Sequence, residues 1–324
     1  MLKKTFNYCI LGILIFSSPM LYAQSNSKTA KPGSSSDSSQ LIGRWDLELL
    51  DTPQPTPSWL EVEHSGFKAL VGRYVGAFGS ARPISTITFD NGNFSFSIPS
   101  QWERNTEEIR LTGKLVGDQI EGKLTNHEGQ PQPFRGTRAP ALKREKAPNW
   151  GQPMDLFNGS DLEGWRPSGA NSHWQVRNGI LTNARQGANL ISEKVFNDFQ
   201  LHIEFRYPPG GNSGIYLRGR HEIQIEDNKK EAPLGRTSFG AIYGFLTPSE
   251  WSSTGPGEWQ VFDISLIGRM VSITANGKTI ISNQEIPGIT GGALDSQEAA
   301  AGPIYLQGDH SAIEFRKIVI TPAR

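Results

Sequence analysis

The sequence predicts an all-β protein, with a C-terminal jelly-roll β-sandwich preceded by a small antiparallel β-barrel or sandwich. Three observations carry this. Short runs such as STITFDNGNFSFSI and FQLHIEFRY alternate apolar with polar residues, the period of a strand with one buried face. Between such runs stand pairs suited to tight hairpins, among them Asn91-Gly92, Asn178-Gly179 and Asn276-Gly277. From Leu41 onward no helical periodicity of useful length appears. The length of 324 residues allows two domains, each with enough material for a core.

The chain begins with Lys3 and Lys4 ahead of an apolar run centred on Ile10 to Phe16, and Leu21-Tyr22-Ala23 offers a small-residue cleavage site. Residues 1–23 therefore read as a secretory signal peptide, too short and wrongly flanked for a membrane span. Cys9, the one cysteine, lies inside it, so the mature chain is expected to carry no thiol chemistry and no disulfide. A formal charge of zero argues against nucleic acid or an anionic membrane as partner. Loss of Lys3 and Lys4 leaves the mature chain mildly acidic, and a periplasmic or secreted location is expected. Residues 24–40, containing SSSDSS, are too polar to fold and read as a flexible tether.

Residues 41–138 carry five or more short strands, with Asp90-Asn91-Gly92 and Val116-Gly117-Asp118 as hairpin marks. This is the small all-β accessory domain. Its Gly43-x-Trp45 opening resembles the first strand of lipocalin-like barrels, with Trp45 as a plug at the barrel end. His64 and His127 stand among turn residues and read as surface histidines. A charge run flanked by prolines, ALKREKAPNWGQP, marks residues 139–152 as a linker. Residues 153–324 form the sandwich, and its loop from Asn228 to Gly257 is long enough to border a cleft.

The stretch GNSGIYLRGRHEIQIED, Gly211 to Asp227, reads as the site. A strand through Ile215-Tyr216-Leu217-Arg218, a turn at Gly219 and a second strand through Glu226 would set Tyr216 and Arg218 on one face. Glu222, Gln224 and Glu226 would share a face of the second strand. Such a pattern also fits a sheet with one solvated face. Tyr, Arg, Glu and Gln are, however, the types that grip hydroxyl-rich ligands through planar hydrogen-bonding groups. In the closing segment Tyr305 and Gln307 point one way, with His310 at the strand's rim. If the last strands lie beside this hairpin, one cleft gathers Tyr216, Arg218, Glu222, Gln224, Gln307 and His310.

The C-terminal domain resembles the 3-keto-disaccharide hydrolase family, related in fold to concanavalin-like and laminin-G-like jelly rolls. The matching blocks are DLFNGSDLEGW, WQVRNGIL, FNDFQLHIEFR, GNSGIYLRG, EIQIED and GPIYLQGDHSAIEFRKI, in order from Asp155 to Ile318. Many members have a W-N-x-x-R strand followed by a His-bearing strand; this chain has Trp259-Gln260 and Ile273-Thr274-Ala275-Asn276 instead. The resemblance implies attack on a glycoside oxidised at C3, whose C2 proton is acidic enough for a base to remove. Such a route needs a base, donors for the enolate oxygen and an acid at the leaving group; on alternation and residue type the candidates are Glu222 or His310 as base, Arg218 and Asn212 as enolate donors, and Tyr216 or Asp227 as proton donor. Gln224, Gln307, Tyr243 and Trp251 would contact the sugar. Structural roles are open for each: an Arg218–Glu222 ion pair, turn caps at Asn212 and Asp227, and a loop closure at His310.

Glu222 with Asp227 or Glu226 could also supply the paired carboxyls of a conventional glycosidase, about 5–9 Å apart. No HExxH, GxSxG or P-loop pattern occurs. The six histidines are scattered, so no cofactor or His-based metal site is expected, while an oxygen-ligated Ca²⁺ stays open. The leading expectation is an exported enzyme cleaving 3-keto-glycosides by elimination and hydration. A carbohydrate-binding protein of the cell envelope without catalysis is the alternative, and a protein-contact module the third. Oligomeric state is open.

Overall fold

The computed structural model describes residues 38–101, 106–126, 128–230 and 232–324. The expected signal peptide, most of the tether and His127 lie outside the described residues. No α-helix occurs among the described residues, so none is long and apolar enough to cross a membrane.

Strands β1 (Gly43–Leu49), β2 (Thr56–Ser65), β3 (Ala69–Val75), β4 (Arg82–Asp90), β5 (Asn93–Ile98), β6 (Ile109–Val116), β7 (Gln119–Thr125) and β8 (Pro131–Arg138) pair in sequence order. β8 returns to β1, with Leu47 opposite Gly136, and closes the barrel. The alternation explains its interior: Trp45, Leu47, Leu60, Val62, Phe94, Phe96, Leu111 and Phe134 form one buried cluster. Trp45 is fully buried, donates Nε1–H to the Leu41 carbonyl at 2.9 Å and is capped by the Arg138 guanidinium 3.7 Å above its ring. His64 is exposed.

The remaining strands are β9 (Met154–Asp155), β10 (Trp165–Pro167), β11 (Trp174–Arg177), β12 (Ile180–Asn183), β13 (Leu190–Phe196), β14 (Phe199–Arg206) and β15 (Asn212–Leu217). They continue with β16 (His221–Glu226), β17 (Gln260–Ile267), β18 (Met270–Ala275), β19 (Lys278–Glu285), β20 (Gly302–Leu306) and β21 (Ile313–Pro322). They form a five-stranded sheet in the order β10-β13-β20-β15-β16 and a larger sheet in the order β11-β12-β21-β14-β17-β18-β19, with β9 on β21. The sheets pack face to face as a jelly-roll sandwich. Ile215, Leu217, Ile223, Ile225, Ile304 and Leu306 of the smaller sheet meet Phe205, Phe262, Ile264 and Phe315 of the larger one in a common core. Hairpins close where the Asn-Gly pairs predicted: Asn91, Asn178 and Asn276 all have φ near +50°, followed by glycines near +80°.

Barrel and sandwich belong to one compact unit, residues 36–324. Trp59, Val75 and Ala81 of the barrel sit in the sandwich's core cluster, and Trp59 meets Phe245 edge-on at 5.3 Å. The segment read as a linker is docked rather than loose. Arg144 grips Asp198 with two bonds of 2.6 and 3.0 Å, and the Pro140 carbonyl accepts from Arg269 Nε at 2.9 Å.

Candidate active site

Tyr216 on β15 lies opposite Glu222 on β16 and opposite Tyr305 on β20. Directly opposed residues share a face, so these three side chains project together from the face turned away from the core. Gln224, Asn212 and Gln307 follow by period two. They line a cavity of about 350 Å³ together with Asn189, Glu226, Thr237, Tyr243, Asp309 and His310. Phe78 and Gly79 of the barrel and Gly291 and Gly292 complete the wall. The long loop after β16 takes part because its backbone pairs with that strand: Gln224 N–H donates to Ala241 O and Tyr243 N–H to Glu222 O. That contact covers the sheet edge and brings Tyr243 to the cleft.

Glu222 is buried at the cavity floor. Gly214 makes room for it, since a Cβ there would stand 2.3 Å from Glu222 Oε1. Burial pushes the carboxyl up to about 8, against the opposing pull of the Tyr216 hydrogen bond and His310. The local geometry agrees. Tyr216 Oη lies 2.9 Å from both Glu222 Oε2 and the Gly291 carbonyl. A phenol has one proton and a carbonyl only accepts. With Glu222 protonated, the carboxyl donates to Oη while Oη–H donates to Gly291, and every atom of the chain is satisfied. Burial, and then the Glu222 charge, raise the Tyr216 phenol well above its ordinary range, so it keeps its proton. Its ring stacks on Tyr305 at 4.4 Å between centroids.

His310 and Asp309 stand at the half-exposed rim. Asp309 Oδ1 lies 2.6 Å from His310 Nδ1, and this bond raises the imidazole above its ordinary value. Burial pushes the Asp309 carboxyl up, but the bond and charge of His310 outweigh it and the net direction is down. Asn189 fixes this corner: Oδ1 accepts from the Gly308 and Asp309 N–H groups at 2.7 and 3.1 Å, and Nδ2 donates to Tyr305 Oη at 2.6 Å. Gln307 Oε1 is buried without a hydrogen-bond partner among the described residues and borders the cavity, where a ligand hydroxyl could donate to it.

Three expected site residues lie elsewhere. Arg218 is not the last residue of its strand but the first of the turn, with φ of +52°, so the alternation that would aim it beside Tyr216 ends one residue earlier. Its Nη2 donates to the Gly268 carbonyl at 2.7 Å, in a buried cluster with His221, Arg269 and Glu298. Asp227 caps a turn, accepting from Gly210 N–H at 2.9 Å. Trp251 precedes β17, where its carbonyl accepts from Lys278, and it does not border the cavity. Conversely Asn189, Asp309, Tyr305 and Phe78 were missing from the expected set. Asp309 could have been read from its place beside His310; Asn189 and Phe78 reach the cleft only through non-local pairing.

A larger cavity of about 570 Å³ lies between the barrel and residues 296–300. Its buried carboxyl Glu298 is already held by two Arg269 bonds, whereas the smaller cavity gathers the proton-transfer groups. Among the described residues no cluster of three or more His, Cys, Asp or Glu is arranged to hold a metal ion.

A family profile described as 3-keto-alpha-glucoside-1,2-lyase-like domain matches residues 152–321, which include every cavity residue named above except Phe78 and Gly79. No curated protein matches the sequence. Among solved structures, a candidate glycosyl hydrolase from Parabacteroides distasonis is 29% identical over 55% of this chain and 93% of its own, with a TM-score of 0.46. A second from that organism is 21% identical over 53% of this chain and 94% of its own, with a TM-score of 0.44.

Proposed function

We propose that this chain, which belongs to the 3-keto-alpha-glucoside-1,2-lyase-like domain family, is an exported enzyme that cleaves glycosides oxidised at C3 of the sugar. The supporting observation is a carboxyl held neutral, Glu222, in the same cavity as an imidazole backed by a carboxylate, His310 with Asp309. An acid and a base facing one substrate are what elimination needs.

In this reading, neutral His310 takes the proton from C2. The C2–H electrons form the C2=C3 bond, and the C3 oxygen gains the charge. Asn212 and Gln307 border the cavity, and their side-chain amides would donate to that oxygen. When C3=O reforms, the C2 electrons make C1=C2, the C1–O bond breaks, and Glu222 protonates the departing oxygen. Water then adds across C1=C2, with its oxygen on C1 and a proton on C2, so the net change is hydrolysis. Arg218 has no part in this scheme, and neither has Asp227. A non-catalytic glycan binder has no need of a buried carboxyl held neutral in the same cavity as an imidazole backed by a carboxylate.

The test is incubation of the purified chain with a 3-oxidised glucoside and with its unoxidised parent, following aglycone release. Release from the keto form alone is the expected result; equal cleavage of both means a conventional glycosidase, and binding without release means a binding protein.

The pH profile of kcat/KM is expected to be a bell. The rate rises as pH climbs through the raised value of His310, which must be neutral, and falls through about 8 as Glu222 loses its proton. A flat profile across that range would remove both groups from the chemistry. Gly214→Ala is expected to displace the Glu222 carboxyl and lower kcat by about 10²-fold, the scale of an ångström-level misplacement. An unchanged kcat would mean that the carboxyl's position is not critical.

A further inference from the structure

We infer that Phe78, in the barrel loop between β3 and β4, is the platform on which the substrate's leaving group rests. The barrel would thereby select glycosides whose aglycone presents a flat apolar face, an aryl ring or the C–H face of a second pyranose. This rests on the reading of the cleft as a glycoside site. Phe78 is 60% exposed, and among the exposed large apolar side chains of the described residues it is the one that borders the cavity. The floor beside it is polar, with Glu222, Gln224 and Gln307 buried there. Such a floor suits the hydroxyls of the reacting sugar, and an open aromatic ring at the same cavity suits the apolar face of what departs.

The loop is a fixed wall rather than a passing neighbour. Gly292 N–H donates to the Ala77 carbonyl at 2.9 Å. A Cβ on Gly291 would lie 2.2 Å from the Gly79 carbonyl oxygen, and one on Gly244 would lie 2.6 Å from Ala81 N. Barrel and sandwich backbones thus meet where only glycine leaves room. The seat is continuous with the chemistry, because the Gly291 carbonyl accepts from Tyr216, the partner of Glu222. Phe78 lies outside the span matched by the family, so this part of the specificity belongs to the barrel.

The experiment compares wild type, Phe78→Ala and Phe78→Trp on 3-oxidised glucosides with phenyl, glucosyl and methyl leaving groups. Phe78→Ala is expected to raise KM about 10-fold for the phenyl or glucosyl substrate, the worth of one covered aromatic face. It should leave methyl within about twofold on the same scale, with kcat little changed, and Phe78→Trp should restore the preference. A loss confined to phenyl assigns aryl leaving groups, and a loss shared with glucosyl assigns the pyranose face as well. Equal effects on methyl and phenyl, or none on either, overturn the platform. If wild type releases no aglycone from any of them, the elimination reading fails by itself. Calorimetric binding of intact phenyl and methyl glucosides then decides for Phe78: a phenyl preference lost in Phe78→Ala supports the platform, and no preference overturns it.

Discussion

Glu222→Gln is expected to lower aglycone release from a 3-oxidised glucoside by about 10³-fold, the loss typical of removing a positioned proton donor. The amide keeps the carboxyl's shape and still donates to Tyr216 Oη, so binding should survive while protonation of the leaving oxygen does not. Stability should move the other way. The folded-state value of Glu222, about 8, lies above its ordinary 4.5, so its contribution is full below 4.5 and is lost as pH rises through 8. A glutamine is neutral throughout. The variant should therefore gain on wild type as pH climbs across that window, reaching about 2–4 kcal/mol near its top. Denaturant titrations at pH 5 and pH 8, beside single-turnover kinetics, test both halves. A variant that turns over normally removes Glu222 as the acid; a stability difference from wild type that is the same at pH 5 and pH 8 means the carboxyl ionises freely in the folded protein.

Arg269→Ala is expected to cost about 3–5 kcal/mol, a breakage of a buried ion pair that strands one charge. Arg269 is 2% exposed, and its Nη1 and Nη2 hold the fully buried Glu298 at 2.6 and 2.9 Å. Its Nη1 also donates to the Pro287 carbonyl at 3.1 Å. Asp46 of the barrel faces the same group, and burial, then the Glu298 charge, push the Asp46 carboxyl upward. Without Arg269 Glu298 would lose the two hydrogen bonds that hold it, leaving the pull of Arg218 on Glu298 and of Arg220 on Asp46 to offset the two buried carboxyls. At roughly 2–4 °C per kcal/mol for a chain of this size, calorimetry should show a fall in Tm of roughly 10 °C. Glu298→Gln should suffer less, because no carboxylate is left stranded. A Tm within a degree of wild type would mean that the seam between barrel and sandwich does not depend on this pair.

The cluster around Arg269 also explains why part of the site was illegible in the sequence. Arg218 looks like a ligand-facing arginine as long as its strand is taken to run one residue further. The turn takes three residues, Arg218 to Arg220, between the paired Leu217 and His221, and the Arg218 side chain is claimed by a distant group, the Gly268 carbonyl that it grips. By contrast Tyr216, Glu222 and Gln224 stand on one face as their spacing predicts, because alternation is enforced by the backbone of each strand. Trp251 was read as a cleft residue because its loop is long, yet that loop reaches the cleft through Thr237 and Tyr243.

The local chemistry of the chain determined the all-β class, the Asn-Gly hairpins with their positive φ values, and the polar face carrying Glu222. Each depends on neighbours within a few residues, where steric limits and period-two geometry act directly. The tertiary structure alone decided that β20 lies beside β15, so that Tyr305 stacks on Tyr216 and His310 reaches the cavity of Glu222. It also decided that a barrel loop supplies Phe78 to the same wall. Those are contacts between segments far apart in the chain. They are selected by the burial of both sheet faces and the close approach of glycine backbones, which no short window of sequence contains.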